Sequence, residues 1–350
     1  MQAWKKNIRK VVPYVPGEQP QRPVIKLNTN ENPYPPAPGV KRALKEFEDN
    51  CLRLYPDPEC MSLRNALACY YGLKTENIFV GVGSDDVLSV AFLTFFNSDK
   101  KLLFPDITYS FYSVWADLYR IPYETVPVDE NFRIHAEDYY KENGGVIFAN
   151  PNAPTAICES LEFVEDILNH NQDVIVIVDE AYIDFGGKSA MELINKYDNL
   201  LVVQTFSKSR SMAGMRIGYA VGNPELIKAM NDVKFSINSY TMNQNSLYVG
   251  VEAVKDKAYF EETLEKIIKT RENTKQKLGE LGFICTDSSS NFLFAAHKTK
   301  SAEEIFEELK KKDIFVRHFS SPRINNYLRI TIGTDGEMEE FIKALKEILQ

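Results

Sequence analysis

Residues 174–185 read VIVIVDEAYIDF. Five successive β-branched apolar residues show no polar alternation, so a strand here is buried on both faces, as in a parallel sheet covered by helices. The run then ends on Asp179 and Glu180 with no polar lead-in. The same texture recurs in NIFVGVG (77–83), KLLFPD (101–106), GVIFANP (145–151), LLVVQTFSK (200–208) and IGYAVG (217–222). Helix-like stretches such as DDVLSVAFLTFF and SLEFVEDILNH separate these runs. The alternation predicts an α/β fold with a mostly parallel central sheet flanked by helices, and ligands in such sheets sit at the carboxyl ends of the strands.

Working outward, a proline-rich arm precedes two helical segments, PGVKRALKEFEDN and SLRNALACYYG, joined by LYPDPEC. From about residue 251 the chain becomes charged and amphipathic. YFEETLEKIIKTRENTKQKLGELG places Leu264, Ile267, Ile268, Arg271 and Leu278 near one helical face. Strand NFLFAAH, helix AEEIFEELKKK, strands IFVRHF and YLRITIG, and helix EMEEFIKALKEIL follow, a small α+β unit. The organisation read from this is an N-terminal arm (1–38), a large domain (39–250) and a small C-terminal domain (251–350).

At 350 residues and 44% hydrophobic content the chain can bury a large core, which excludes a disordered or fibrous class. A formal charge of −8 without any basic block argues against a nucleic-acid binder, so an anionic ligand must be caught by locally placed arginines. The five cysteines include no CxxC pair, which predicts free thiols. His135, His170, His297 and His318 lack metal-ligand spacing, and no metal is expected. No apolar run approaches a bilayer span, and the expectation is a cytoplasmic protein.

The strand ends carry the chemistry. FVGVGSDDVLSVAFL is a strand, a glycine-containing turn and a helix start, so backbone N–H groups at Ser84 and Asp85 can bind a phosphate, or Ser84 or Asp85 can simply cap the helix. It is not a dinucleotide fingerprint, because the sixth position of G-x-G-x-x-G is Asp86. In LLVVQTFSKSRSMAGMRIGYAVG, Lys208 follows an apolar strand beside Ser207, with Arg216 eight residues on. A partly desolvated lysine near a cation is a nucleophilic amine for an aldehyde, and an arginine fork grips phosphate. A phosphorylated aldehyde held this way describes pyridoxal 5′-phosphate, whose ring nitrogen needs a buried carboxylate. Asp179 meets that need, and Tyr182 follows at a reach suited to the ring's phenolic oxygen. A helix cap or a metal-binding carboxylate pair is the alternative reading of DEAY, and Glu180 receives no role.

DEAY, TFSKSRSMAGMRIGYAVG, NPNAPT and YLRITIGT, in this order and at these spacings, resemble the fold-type I aminotransferases that use pyridoxal phosphate. PYVPGE, LNTNENP and LYPDPEC are similar to the branch of that family acting on histidinol phosphate. Aromatic-amino-acid aminotransferases and threonine-phosphate decarboxylases of the same fold share much of the pattern. The resemblance implies that Lys208 carries the cofactor and shuttles a proton, that Asp179 and Tyr182 meet the ring nitrogen and phenolic oxygen, and that Tyr109 stacks on the ring. It implies that Ser84, Asp85, Ser207 and Arg216 hold the phosphate, with Tyr55 reaching the site of a second subunit in a homodimer. Arg329, Arg317 and Tyr14 then grip anionic substrates: histidinol phosphate, glutamate and 2-oxoglutarate. Where the family reads NPNNPTG, this chain has Ala153 and Ala156, so the asparagine role passes to Asn152, and a cis peptide before Pro154 is a companion expectation. A pyridoxal-phosphate-binding regulator would need a DNA-binding segment, and a nicotinamide oxidoreductase the missing glycine.

Overall fold

The computed structural model describes residues 3–350. Seven strands form the central sheet: β1 (Ile78–Gly81), β2 (Leu102–Pro105), β3 (Tyr123–Val126), β4 (Gly145–Ala149), β5 (Val176–Asp179), β6 (Leu200–Thr205) and β7 (Gly218–Gly222). Their spatial order is β1-β7-β6-β5-β4-β2-β3. Every pairing is parallel except those of β7, which runs antiparallel to both β1 and β6. All residues of β4, β5, β6 and β7 are buried, as continuously apolar runs between two helical layers must be. The edge strand β3, YETV, gave no signal in the sequence because its first three residues stay partly or wholly exposed and carry no apolar run.

A second sheet of four antiparallel strands, β8 (Phe283–Cys285), β9 (Phe292–His297), β10 (Arg317–His318) and β11 (Leu328–Thr331), has the order β10-β11-β9-β8. IFVRHF is two pieces rather than one strand. Ile314–Phe315 pairs in parallel with Ile25–Lys26 of the N-terminal segment, and only Arg317–His318 joins the four-stranded sheet. Leu27 therefore packs into the apolar cluster of this second sheet, together with Phe185 from the loop after β5.

The helix Lys257–Glu280 buries Thr263, Ile267, Thr270, Arg271, Thr274 and Leu278, while Leu264 and Ile268 are only half-buried. The face is thus rotated from the expected one towards three threonines, whose hydroxyls donate back to carbonyls one turn earlier. Arg271 sits on this face because its guanidinium donates to the carbonyls of Phe185 (2.8 Å) and Ser290 (2.9 Å). The anticipated boundary after residue 250 falls inside the helix Gln244–Lys255, whose Ala253 and Val254 pack into the core of the central sheet. We propose Asp256, where that helix ends, as the division between the two units. Among the described residues no helix is long and apolar enough to cross a membrane.

Candidate active site

The carboxyl ends of β5 and β6 and the turn entering β7 converge on one cleft. Asp179, the last residue of β5, is buried and accepts from the Tyr112 hydroxyl (2.8 Å) and the Ala181 amide (3.3 Å). Burial pushes its carboxyl up to about 6, against the pull of the Tyr112 bond, and no cation among the described residues pairs with it. A buried carboxylate so placed has room in its chemistry for a cationic guest.

β6 delivers the next group. Lys208 lies three residues past the strand, half-buried, with its ammonium donating to the Thr29 carbonyl (3.1 Å) and 5.7 Å from the centre of the Tyr182 ring. Its backbone is held from both sides: Asn32 Nδ2 donates to the Lys208 carbonyl (3.0 Å), and Ser209 Oγ donates to half-buried Asp184 (2.5 Å). Arg216, in the left-handed region at φ 51°, donates to Ser207 Oγ (3.4 Å) and pairs with Asp85 (3.4 Å). The approach is tight. A Cβ on Gly83, itself at φ +83°, would stand 2.5 Å from Arg216 Nη2, and one on Gly218 would overlap the backbone of Gly83. Two glycines therefore let the β1 turn, with Ser84 and the first amides of helix Gly83–Phe95, close against the arginine. Asp85 contributes more than its backbone, for its carboxylate also accepts from the Tyr109 hydroxyl (2.8 Å).

Tyr109 and Tyr182 flank this centre. Tyr109 packs edge-on against Tyr112 (5.7 Å) and Trp115 (6.2 Å), and Tyr14 lies 6.4 Å from it while stacking on Phe111 at 4.4 Å. Tyr182 packs edge-on against Phe292 (5.1 Å), and its hydroxyl accepts from Asn30 Nδ2 (2.9 Å). Arg329 of β11 is half-buried, donates to the Asn28 carbonyl (3.0 Å), and leaves its buried Nε without a partner among the described residues. Arg317, its cross-strand neighbour, reaches the Val15 carbonyl (3.5 Å), which brings the PYVPGE arm to the same mouth.

Two anticipated residues sit apart from this cluster. Tyr55 is 79% exposed and stacks on Tyr240 at 4.5 Å, engaged with no other residue of the site. Asn152 is buried, but its amide is committed within its own neighbourhood: Nδ2 donates to the Ile107 carbonyl (2.8 Å) and Thr155 Oγ1 (3.2 Å), and Oδ1 accepts from Thr108 Oγ1 (2.8 Å). It ties the NPNAPT turn to the strand end that carries Tyr109. The peptides before both Pro151 and Pro154 are cis, and Ala156 adopts φ 66°, the conformation a glycine would take there.

Sequence reasoning missed Tyr112, Asn30 and the use of Glu180. Tyr112 reads as an ordinary core aromatic of a helix, and nothing local marks its hydroxyl. Glu180 points to the opposite face of the sheet from Asp179, where it accepts from Ser189 Oγ (2.5 Å), the Ala190 amide (2.7 Å) and Gln204 Nε2 (2.8 Å). Gln204 in turn accepts from the Tyr71 (3.0 Å) and Tyr219 (2.5 Å) hydroxyls. Burial raises Glu180 to about 7. It is the hub of a buried brace beneath the site.

Residues 22–345 match the family described as aminotransferase class I and II. The histidinol-phosphate aminotransferase of Clostridium acetobutylicum is 52% identical over 347 residues, covering 99% of each chain. That of Lactococcus lactis subsp. cremoris is 50% identical, covering 99% of this chain and 98% of its own. Among solved structures, the histidinol-phosphate aminotransferase of Sinorhizobium meliloti in complex with pyridoxal-5′-phosphate shares the fold. Its TM-score is 0.86 at 24% identity, over 94% of this chain and 92% of that one.

Proposed function

The chain belongs to the class I and II aminotransferases, and from that premise we propose that its cleft holds pyridoxal 5′-phosphate at Lys208. The activity is transfer of an amino group between histidinol phosphate and 2-oxoglutarate, giving imidazole-acetol phosphate and glutamate, in histidine biosynthesis. The observation that carries the cofactor reading is Asp179: a buried carboxylate at the sheet's carboxyl edge, raised to about 6 by desolvation and lacking a cation. The residues present fit the group.

When bound, the cofactor supplies an electron sink that makes the Cα proton of an attached amino acid acidic. The chain's own groups do the rest. Asp179 would hold the ring nitrogen and keep it protonated, while Tyr182 would donate to the phenolic oxygen. Tyr109 would pack against the ring. Ser207, Arg216 and the backbone amides of Ser84 and Asp85 take the phosphate, with Arg216 exchanging part of its pairing to Asp85 for the ligand. Lys208 supplies the amine that holds the aldehyde and then moves the proton at the substrate Cα. Asn152 fixes the turn beside the phenolic oxygen, acting through the loop it ties together. Arg329, with an unpartnered Nε, takes the anionic end of either substrate, and Arg317 and Tyr14 close on the phosphate of histidinol phosphate.

We place Tyr55 in the site of a second copy. Its ring is exposed and stacked on Tyr240, and Leu52, Leu54, Phe235 and Ile237, close to these two in sequence, are exposed as well, which suits a homodimer. Cytoplasmic residence suits a chain whose five cysteines are all thiols.

The test is spectroscopic. Protein supplied with pyridoxal phosphate should show a band at the edge of the visible that borohydride removes and that Lys208→Ala lacks; absence of the band from the unmodified protein sinks the assignment. Single-turnover amino transfer should then favour histidinol phosphate over phenylalanine and threonine phosphate.

A further inference from the structure

Asn30 lies in LNTNENP, 152 positions before Tyr182 in sequence, yet its side chain touches the tyrosine hydroxyl. It is buried and adopts φ 56°, a left-handed conformation that asparagine tolerates better than most residues. Three of its polar atoms are held by two other residues. The backbone N–H donates to Thr331 Oγ1 (3.0 Å), the side-chain Oδ1 accepts from that same hydroxyl (3.1 Å), and the carbonyl accepts from Asn291 Nδ2 (3.0 Å). Nδ2 is left to donate to Tyr182 at 2.9 Å.

This arrangement has a direction. Thr331 Oγ1 accepts from the Asn30 amide, so its own hydrogen needs an acceptor, and Oδ1 is the one it meets. Turning the Asn30 amide over would set Nδ2 against Thr331, strand that hydrogen and put an acceptor in front of Tyr182. Thr331 therefore fixes which way the Asn30 amide faces, and the amide fixes Tyr182 Oη as an acceptor on that side. The phenolic hydrogen must then point elsewhere, and no other partner takes it among the described residues.

We propose that Asn30 and Thr331 are positioning residues that aim the Tyr182 proton into the cleft, making Tyr182 an obligatory donor to the phenolic oxygen of the cofactor. This rests on the reading that Tyr182 meets that oxygen. Thr331 closes the same strand that carries Arg329, so the strand that holds the substrate anion also sets the proton of the group beside the cofactor. A donated proton draws charge from the phenolic oxygen and makes the adjoining nitrogen a weaker base, so losing it raises the pH at which that nitrogen loses its proton.

The measurement is the pH midpoint of the near-visible absorbance of protein loaded with pyridoxal phosphate, alongside the cofactor's dissociation constant. Asn30→Asp puts an acceptor against Tyr182 and should raise the midpoint by about one unit and weaken cofactor binding about tenfold. Thr331→Val, which frees the amide to turn without adding charge, should move both in the same direction by less, and Thr331→Ser should restore them. Tyr182→Phe alone should raise the midpoint, and adding Asn30→Asp to it should produce no further shift. Should Asn30→Asp fail to fold by circular dichroism, the Thr331 pair carries the test. Midpoints unchanged in both Asn30→Asp and Thr331→Val, or a shift that persists in the Tyr182→Phe background, overturn the proposal while leaving Tyr182 in place. An unmoved midpoint in Tyr182→Phe overturns the underlying reading and this inference with it.

Discussion

Asp179 and Glu180 are neighbours in sequence with opposite tasks, because successive residues at a strand end face opposite sides of the sheet. Glu180 meets three donors and stays where it is; Asp179 meets two and faces the cleft. Asp179 holds its proton up to about 6 in the folded chain against 3.8 when exposed. The folded state therefore binds the extra proton between those values, and cofactor-free protein should lose stability as pH rises through that interval. The loss is about 3 kcal/mol in the limit of full desolvation. Thermal melting across pH 4 to 7 should show this slope, and Asp179→Asn should flatten it. Bound pyridoxal phosphate, bringing a cation to the carboxylate, should protect the native chain increasingly above pH 6 and not in the Asn variant. Tyr112→Phe removes a charge-assisted bond to the same carboxylate. It should weaken cofactor binding by about 1.5 kcal/mol, roughly tenfold, by equilibrium dialysis, and an unchanged constant would show that Tyr112 is only packing.

The reversed strand β7 is the element that sets Arg216 against the β1 turn. Because β7 runs antiparallel between β1 and β6, its start, Gly218, lies in register with Gly81 and Thr205, beside the β1 turn at Gly83. A side chain at 218 meets backbone on three counts, all of them at Gly83 or Ser84. Gly218→Ala should therefore cost about 3 kcal/mol or more in denaturant unfolding and should displace Arg216 from the β1 turn, weakening the proposed hold on the cofactor phosphate as well. A cost below about 1 kcal/mol would mean that the turn can yield. The cap of the final helix is a local counterpart. Thr334 accepts from the Glu337 amide (3.3 Å) while Glu337 returns a carboxylate to the Thr334 amide (2.7 Å). Thr334→Ala should cost about 1 kcal/mol with no effect on cofactor absorbance.

At the scale of the molecule, the two sheets are tied across the cleft by Arg323. It stands at φ 68° in the loop between β10 and β11 and donates to Asp106 (3.0 Å) and to the carbonyls of Val128 (2.7 Å) and Asp129 (2.8 Å). Asp106 lies three residues before Tyr109, so this clamp joins the arginine-bearing sheet to the loop that carries Tyr109. Arg323→Ala should raise KM for both substrates about fivefold, corresponding to about 1 kcal/mol for a partly exposed charged clamp. kcat should change less, and faster hydrogen exchange around residues 319–326 should accompany the loss. Much of this molecule was legible beforehand. The buried strands announce themselves as unbroken apolar runs, and Lys208, Asp179 and Arg216 stand at strand ends where sheet geometry sends ligands. Those features are local: periodicity and position along one strand suffice to set them. Edge strand β3 was not legible, since half-exposed residues leave no pattern, and the division of IFVRHF between two sheets depends on where the N-terminal segment lies. Nor could the sequence place Tyr112 under Asp179 or Asn30 on Tyr182, or commit the Asn152 amide to its own loop. Each of these is a hydrogen bond between residues far apart in the chain, and a hydroxyl or amide acquires its direction only when folding decides which other groups are left without a partner.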